Sequence, residues 1–230
     1  MYHPDYDAID GTAPWSVPSD PAIANHVLDI TIAVTSDEDR LTLDTDEMYS
    51  LNIVPASGVT TAAITAETFF GARHALETLS QLINYEEAND CLQIVNSVVI
   101  FEDSPQFAYR GLALDTSRNY IPVSNIERTI DAMSSNKLNT LHWHVTDTHS
   151  VPIVLETLPK LNQYGAYSNR DLYQPDDVRG LVEYGRVRGV RVLPEFDAPA
   201  HVGNGWQWGP QEDLGDLAVC VNQVSLQLCC

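Results

Sequence analysis

Short segments of alternating hydrophobicity occupy the first part of the chain. Three runs rich in Val, Ile and Thr lie between residues 26 and 66 and read HVLDITIAV, MYSLNIV and GVTTAAITA. Such runs, separated by turn residues, are typical of β-strands. Residues 67–83 then carry apolar side chains at helical spacing, and two more strand-like runs, CLQIV and SVVIF, follow. The pattern predicts a small α+β layer that follows an irregular start over residues 1–25 and ends near residue 105.

After Phe107 the pattern changes to strand, loop, helix, strand. Strands are predicted over FAYRGLALD, LNTLHWHV and VRVLPEF. One predicted helix opens with a capping box of Ser124 and Glu127, and a second runs from Pro175 to the stop at Gly189. This order is typical of parallel β/α units. A complete eight-stranded β/α barrel takes roughly 250 residues, so we expect only its first three strands.

The predicted fold class is therefore α/β with two domains. Residues 1–105 would form the partial N-terminal α+β domain, and residues 106–230 would form a partial, incomplete TIM barrel.

Charge and cysteine content narrow the function classes. Twelve Lys and Arg against 32 Asp and Glu give a net charge of −20, which disfavours nucleic acid and anionic lipid as partners. The chain has no long apolar run, and its first ten residues resemble no signal peptide. The four cysteines are Cys91, Cys220, Cys229 and Cys230, and their spacing matches no zinc pattern. Disulfides of a secreted parent and free thiols both remain open.

Polar residues end each strand of the predicted barrel. Asp115 ends the first strand, Thr146 and Asp147 end the second, and Glu195 and Asp197 end the third. In β/α barrels the working residues come from the carboxyl ends of the strands. Glu195 and Asp197 could therefore perform acid/base glycoside hydrolysis or could form a hydrogen-bonded pair that holds a loop.

Side-chain alternation predicts which residues of the second strand face the barrel interior. Leu141, Trp143 and Val145 share one face, which should pack on helices, whereas His142 and His144 share the other. The two histidines could join a polar network near a ligand or form a hydrogen-bonded core pair.

The sequence gives little support for a metal or a cofactor. His142, His144, Asp147 and His149 suit zinc by type, but the spacing supplies no further ligand beside the strand. We therefore expect neither a metal nor a cofactor. Trp206 and Trp208, in the Gly-rich segment GNGWQWGP, could stack on a sugar ring or could be buried loop anchors.

Three segments in order, YRGLALDTSRNYIP, NKLNTLHWHVTDTHSVP and RGVRVLPEFDAPAHVGNGW, resemble the first three barrel segments of the family 20 β-N-acetylhexosaminidases. The segment FFGARHALETLSQLI is similar to the helix that closes this family's zincin-like N-terminal domain. The resemblance implies hydrolysis of terminal non-reducing N-acetylhexosamine, with the substrate's own acetamido group as nucleophile, an exception to the two-carboxylate scheme. It also implies an N-acetylglucosamine-containing oligosaccharide as partner.

The resemblance also assigns roles to individual residues. Arg110 would donate hydrogen bonds to the hydroxyls of the terminal sugar, and Asp147 and His201 would be supporting active-site residues. Glu195 and Asp197 would line the same rim, and His144 would support the substrate site. Simple alternation puts Arg110 on the strand face opposite Asp115, so its role comes from the resemblance alone. A secreted, lysosomal or membrane-associated parent, which could be a homodimer, is also implied.

One departure from the family bears on activity. The family's catalytic Asp-Glu pair follows the fourth barrel strand, and this sequence ends 29 residues after His201. Its two Asp-Glu pairs, Asp37-Glu38 and Asp46-Glu47, both lie in the N-terminal strand region. We therefore expect no catalytic residue here and no turnover by this chain alone. A non-catalytic N-acetylglucosamine-binding protein and a non-functional truncated product are the alternatives.

Overall fold

The computed structural model describes residues 27–218 except residues 57, 88–90 and 95. The irregular start predicted over residues 1–25 lies outside this range, as do Cys220, Cys229 and Cys230. No helix in the described ranges is long and apolar enough to cross a lipid bilayer.

The first part of the described chain forms a mixed β-sheet covered by one helix. Its elements are, in chain order, β1 Val27–Val34, β2 Tyr49–Pro55, β3 Val59–Ala66, α1 Phe69–Leu82, β4 Asn84–Glu86, β5 Cys91–Gln93 and β6 Val98–Asp103. The sheet has the order β1-β3-β2-β6, with β1 parallel to β3 and β2 antiparallel to both of its neighbours. The predicted strands and helix are confirmed here, whereas β4, which pairs with β5, was not predicted.

Alternation along the central strands explains how the helix packs. Leu51 and Ile53 of β2 and Ile64 of β3 are at most 1% exposed and lie under α1. The helix begins after Thr68, whose hydroxyl accepts a hydrogen bond from the Gly71 amide, as N-cap residues do. A Cβ atom at Gly71 would lie 2.2 Å from the backbone oxygen of Met48, just before β2, so only glycine lets the helix approach this closely.

The second part of the chain forms a three-stranded parallel sheet flanked by helices. Its elements are β7 Gly111–Asp115, α2 Val123–Ser135, β8 Thr140–Thr146, α3 Pro159–Gly165, α4 Pro175–Arg186, β9 Arg191–Phe196 and a 3₁₀ turn at Gly209–Glu212. The strand order is β7-β8-β9, and all pairings are parallel. The α/β class and the parallel strands are confirmed, and the described strands close no barrel.

The core of this sheet confirms the predicted alternation along β8. Leu141, Trp143 and Val145 are 0% exposed and pack in one cluster with residues of α2 and α4. The Trp143 indole donates a hydrogen bond to Thr116 Oγ1 at 2.8 Å and meets the ring of Tyr173 edge-on, with 4.9 Å between ring centroids. This packing rigidly supports the strand ends above it.

Two local predictions differ from the structure. The strand predicted from Phe107 begins only at Gly111, because the backbone amide of Arg110 donates to the Asn139 side chain instead of a neighbouring strand. The predicted capping box at Ser124 is wrong: α2 starts at Val123, since the extended backbone of Pro122 brings the chain into the helix earlier. A capping box does form at α4, between Gln174 and Asp177. The seven-residue helix α3 is too short to show a periodic pattern.

Candidate functional site

Polar side chains converge where the three parallel strands end. We call this group the carboxyl-end cluster, and its members are Arg118, His144, Asp147, Glu195, Asp197 and His201. They meet because parallel strands present their carboxyl ends at one edge of the sheet. Five of these residues were predicted from the sequence, and the structure brings these five together.

Asp147 lies at the centre of the carboxyl-end cluster. Its side chain is 1% exposed. Its Oδ2 forms an ion pair with Arg118 Nη2 at 2.7 Å and accepts a hydrogen bond from His144 Nε2 at 2.9 Å. Its Oδ1 accepts from the backbone amide of Thr148 at 2.6 Å. A buried carboxylate needs such partners to remain charged. The arrangement holds a negative charge in a fixed position at the floor of the cluster.

His144 links two strands through its imidazole ring. Its Nε2 faces Asp147, and its Nδ1 lies 2.9 Å from Glu195 Oε2. Burial alone would lower the pKa of His144, but hydrogen bonds to Glu195 and Asp147 outweigh it and raise the pKa. Both ring nitrogens face carboxylates, so the geometry favours the imidazolium form.

The carboxylate of Glu195 is shared by two histidines on β8. His142 Nε2 and His144 Nδ1 both bond Glu195 Oε2. These hydrogen bonds, from His144 first and His142 second, lower the pKa of Glu195. His142 thus joins the polar network through Glu195, one contact away from the residues that meet Asp147.

Arg118 is the residue of the carboxyl-end cluster that sequence reasoning missed. Its Nη1 donates to Asp115 Oδ2 at 2.6 Å, its Nη2 forms an ion pair with Asp147, and its side chain is 41% exposed. Asp115 Oδ1 also accepts from the backbone amides of Ser117 and Arg118. Burial would raise the pKa of Asp115, but these bonds lower it. The sequence offered only a weak signal, namely that Arg118 lies three residues after Asp115, which ends the first barrel strand.

Arg110 lies at the other end of its strand. Its Nη2 and Nη1 bond Glu47 Oε1 and Oε2 at 2.7 and 2.9 Å, and its Nε donates to the Lys137 carbonyl at 2.7 Å. It is five positions from Asp115, which at 3.3 Å per residue is roughly 16 Å. The structure therefore does not bring Arg110 to the carboxyl-end cluster, and the sugar-gripping role that the resemblance gave it finds no support here. Side-chain alternation along the predicted strand had likewise placed Arg110 away from Asp115.

The loop after β9 carries the remaining members of the carboxyl-end cluster. His201 Nδ1 lies 2.7 Å from Asp197 Oδ2 and 3.9 Å from Asp147 Oδ2. A β-bulge between β8 and β9 puts Thr146 opposite Phe196, and Thr146 Oγ1 accepts from the Asp197 amide. His201 has a φ of +54°, a left-handed conformation that a non-glycine residue adopts only when its surroundings impose it.

A reciprocal pair of serines connects the loops that carry Arg118 and Asp147. Ser117 Oγ donates to the Ser150 carbonyl at 2.7 Å, and Ser150 Oγ donates to the Ser117 carbonyl at 2.6 Å. Both serines are 0% exposed. Because buried hydrogen bonds of this kind are costly to break, the pair fixes the two loops relative to each other.

The two tryptophans of the Gly-rich loop differ in position. Trp206 is half-buried and borders a cavity of about 200 Å³ together with Asp147, Asp197 and His201. Trp208 is 8% exposed, and its indole donates to the Gly205 carbonyl at 2.8 Å. Trp208 is thus a buried loop anchor, and Trp206 alone of the two borders this cavity.

A larger cavity, of about 820 Å³, lies at the amino ends of the strands and is lined by residues such as Tyr109, Thr140 and Arg191. It is remote from the carboxyl-end cluster, so its size does not identify the site. The chemistry of the strand ends does.

Comparisons with known proteins match both parts of the chain. The family model described as "Glycosyl hydrolase family 20, catalytic domain" matches residues 107–228, and the one described as "beta-acetyl hexosaminidase like" matches residues 12–82. The chain is 54% identical to the chitooligosaccharidolytic beta-N-acetylglucosaminidase of Bombyx mori over 79% of this chain and 29% of that protein. It therefore spans less than a third of that relative's length.

Solved structures give the same result. The X-ray structure of Flavobacterium johnsoniae chitobiase is 32% identical with a TM-score of 0.65, covering 75% of this chain and 25% of that one. The exo beta-N-acetylglucosaminidase of Vibrio harveyi, solved in complex with N-acetylglucosamine, is 30% identical with a TM-score of 0.60, covering 75% of this chain and 28% of that one. The chain belongs to glycosyl hydrolase family 20.

Proposed function

We propose that the whole protein from which this chain comes is a β-N-acetylhexosaminidase. It would hydrolyse terminal non-reducing N-acetylhexosamine residues of chitooligosaccharides or N-glycans. The family supports this proposal, as do the chitooligosaccharide named for the Bombyx mori relative and the N-acetylglucosamine bound to the Vibrio harveyi enzyme. The observation that carries it is the carboxyl-end cluster, a built polar site at the edge where barrel enzymes work.

The reaction would be substrate-assisted and would retain the anomeric configuration, one of the exceptions to the two-carboxylate scheme. The substrate's acetamido oxygen attacks the anomeric carbon, a glutamic acid protonates the leaving oxygen, and an aspartate polarises the acetamide. Residues 1–105 would form the N-terminal α+β domain and residues 106–230 the partial catalytic barrel that supplies one wall of the pocket.

Arg118 is the best candidate for the sugar-gripping arginine. Its guanidinium is held from two sides by Asp115 and Asp147, yet 41% of its side chain remains exposed. Guanidinium carries five N–H donors, so two carboxylate contacts leave donors free for neighbouring sugar hydroxyls. We therefore assign to Arg118 the role that the resemblance gave to Arg110.

The other members of the carboxyl-end cluster would hold and polarise this arginine. Asp147 orients Arg118, and the His144 imidazolium couples Asp147 to Glu195 across the strands. His201 and Asp197 would line the rim, and Trp206 would offer its ring face to the apolar side of the sugar.

We also propose that this chain alone does not turn over substrate. Burial would raise the pKa of Glu47, but His74 and Arg110 hold it at about 2, far below the value that a general acid needs at neutral pH. The other pair, Asp37-Glu38, lies in the loop between β1 and β2, where Glu38 accepts a hydrogen bond from Thr45. Neither pair can supply the missing acid to the carboxyl-end cluster.

Titration of the chain with N-acetylglucosamine, followed by NMR or calorimetry, tests the proposed roles. We expect saturable binding that Arg118→Ala weakens about tenfold or more, the value of one or two charged hydrogen bonds. Arg110→Met is the matched arginine control and should leave the affinity unchanged. The opposite order of effects would refute the assignment.

An aryl N-acetylglucosaminide assay of the same preparation tests activity. We expect turnover at background level, and hydrolysis above background would contradict the proposed absence of an acid. Saturable sugar binding without turnover is also what a non-catalytic N-acetylglucosamine-binding protein would give. Comparison with a longer product of the same gene that includes a fourth barrel strand separates the two functions, because only the enzyme gains turnover.

A further inference from the structure

Three potential metal ligands of the carboxyl-end cluster lie close together, and a fourth lies beside them. One ligand atom from each of His144, Asp147 and Asp197 lies within 4.8 Å of the other two. His201 Nδ1 is 2.7 Å from Asp197 Oδ2 and 3.9 Å from Asp147 Oδ2. We infer that these four residues form a binding site for a transition-metal ion of the zinc type, and that a metal bound there competes with the sugar.

The distances suit a small tetrahedral ion. Nitrogen and oxygen donors lie 2.0–2.2 Å from zinc, so neighbouring donors of a tetrahedral site are about 3.4 Å apart. The separations His201–Asp197, His144–Asp147 and His201–Asp147 are 2.7, 2.9 and 3.9 Å and lie on both sides of this value, while the ligand atoms of His144, Asp147 and Asp197 are up to 4.8 Å apart. Binding therefore requires these side chains to rotate around the ion.

The donor types select the kind of metal. Two imidazole nitrogens and two carboxylate oxygens suit zinc, copper or nickel, whereas calcium and magnesium prefer a shell of oxygen atoms alone. The sequence argued against a metal because no further ligand follows β8. The fold supplies that ligand from the loop after β9, in the form of Asp197 and His201.

The outer hydrogen bond of His144 is also what metal sites require. Histidines that bind metals commonly donate their other ring N–H to a carboxylate, which orients the ring. His144 does so, since its Nδ1 faces Glu195 Oε2 at 2.9 Å while its Nε2 points to the donor set. Glu195 is not one of the four proposed donors, and its contact orients the His144 ring.

Charge favours a cation at this position. Four carboxylates lie at this position, those of Asp115, Asp147, Glu195 and Asp197. The permanent cation that contacts two of them, Asp115 and Asp147, is Arg118. An ion that takes Asp147 Oδ2 must displace the Arg118 contact to it. Because Arg118 is 41% exposed and keeps its bond to Asp115, it can move aside. The same movement removes the proposed sugar contact, which is why metal and sugar should compete.

Zinc titration of the chain, without sugar and in competition with a chromophoric chelator, tests the inference. We expect one zinc per chain, a higher melting temperature, and a Co²⁺ absorption spectrum typical of tetrahedral coordination. His201→Ala and Asp197→Asn should each weaken zinc binding more than about tenfold, and Glu195→Gln should weaken it about 10- to 100-fold through its bond to His144.

His149→Ala is the matched control. His149 Nδ1 also lies 3.9 Å from Asp147, but from Oδ1, the oxygen that accepts the Thr148 amide, and its side chain is 60% exposed. Its removal should leave zinc affinity unchanged. Absence of stoichiometric binding, or equal losses in the His149 and His201 variants, would overturn the assigned ligand set.

A final titration tests competition separately from the proposed sugar function. N-acetylglucosamine should raise the apparent zinc dissociation constant of the wild-type chain. Zinc binding that is unaffected by saturating sugar would refute the competition, whereas a chain that binds no sugar would refute the proposed sugar site and leave the metal result standing.

Discussion

The substitution Glu47→Gln most directly tests the contact between the first and the second part of the fold, because Glu47 lies in the first part and Arg110 in the second. Glu47 Oε1 accepts from His74 Nε2 at 2.8 Å and from Arg110 Nη2 at 2.7 Å, and Oε2 accepts from Arg110 Nη1 at 2.9 Å. The side chains of Glu47 and Arg110 are 9% and 13% exposed. The substitution removes the negative charge, keeps the shape, and leaves a nearly buried guanidinium without its counter-charge.

Two arguments give the size of the effect on the free energy of unfolding. Removal of one partner of a buried ion pair typically costs about 3–5 kcal/mol. The pKa of Glu47 falls from its ordinary value of 4.5 to about 2, and each unit is worth about 1.4 kcal/mol, which gives about 3 kcal/mol. We therefore expect Glu47→Gln to lower the free energy of unfolding by about 3 kcal/mol at pH 7.

The effect should depend on pH in a defined direction. The folded-state pKa of Glu47 is lower than its unfolded value, so the contribution is complete above about pH 4.5 and is lost as the pH falls towards about 2. Protonated Glu47 and the neutral amide of the variant then carry the same charge. The difference in stability between wild type and variant should shrink from about 3 kcal/mol at pH 7 to near zero at about pH 2.

Urea unfolding at pH 7, 5 and 3, followed by circular dichroism, measures this difference. Glu87→Gln, at an exposed position, is the control and should change stability by less than about 0.5 kcal/mol. In an Arg110→Met background, the cost of Glu47→Gln should fall by at least about 1 kcal/mol through coupling. A destabilisation by Glu47→Gln that stays constant from pH 7 to pH 3 would refute the reasoning.

Three further changes test the packing that supports the carboxyl-end cluster, all by urea unfolding. Gly185→Ala in α4 puts a Cβ 2.4 Å from a backbone oxygen and should lower the free energy of unfolding by about 1–3 kcal/mol. Gly180→Ala in the same helix is the control: its Cβ meets no atom within 4 Å, and it should raise the free energy of unfolding by up to about 1 kcal/mol. Trp143→Ala should cost about 3–5 kcal/mol, since it empties a fully buried site. Ser150→Ala should cost about 1–3 kcal/mol because the Ser117 carbonyl loses its buried donor, and no loss would mean that the serine pair is unimportant.

Much of the local structure follows from the sequence alone. The alternation of Leu141, Trp143 and Val145 against His142 and His144 predicted which face of β8 packs on the helices, because side chains of a strand alternate between its two faces. The polar strand ends predicted the position of the site for the same kind of reason: parallel strands bring their carboxyl ends to one edge.

Local sequence patterns could not predict contacts between segments that are far apart along the chain. The bond between Arg110 and Glu47 joins residues 63 positions apart, and nothing near either residue announces it. Arg118 went unnoticed because a charged residue in a loop is usually solvent-exposed, and only its two carboxylate partners reveal a function.

The sequence by itself determined the α/β class, the order of the longer strands and helices, the inward face of β8 and the strand ends that carry chemistry. These depend on periodicities of two and 3.6 residues, which are local properties of the backbone. Only the tertiary structure decided that Arg118 and not Arg110 meets Asp147, that Trp208 is buried, and that Asp197 and His201 lie beside Asp147. Those facts depend on how loops from separate strands pack together, and the energy of such contacts is distributed over residues that are far apart along the chain.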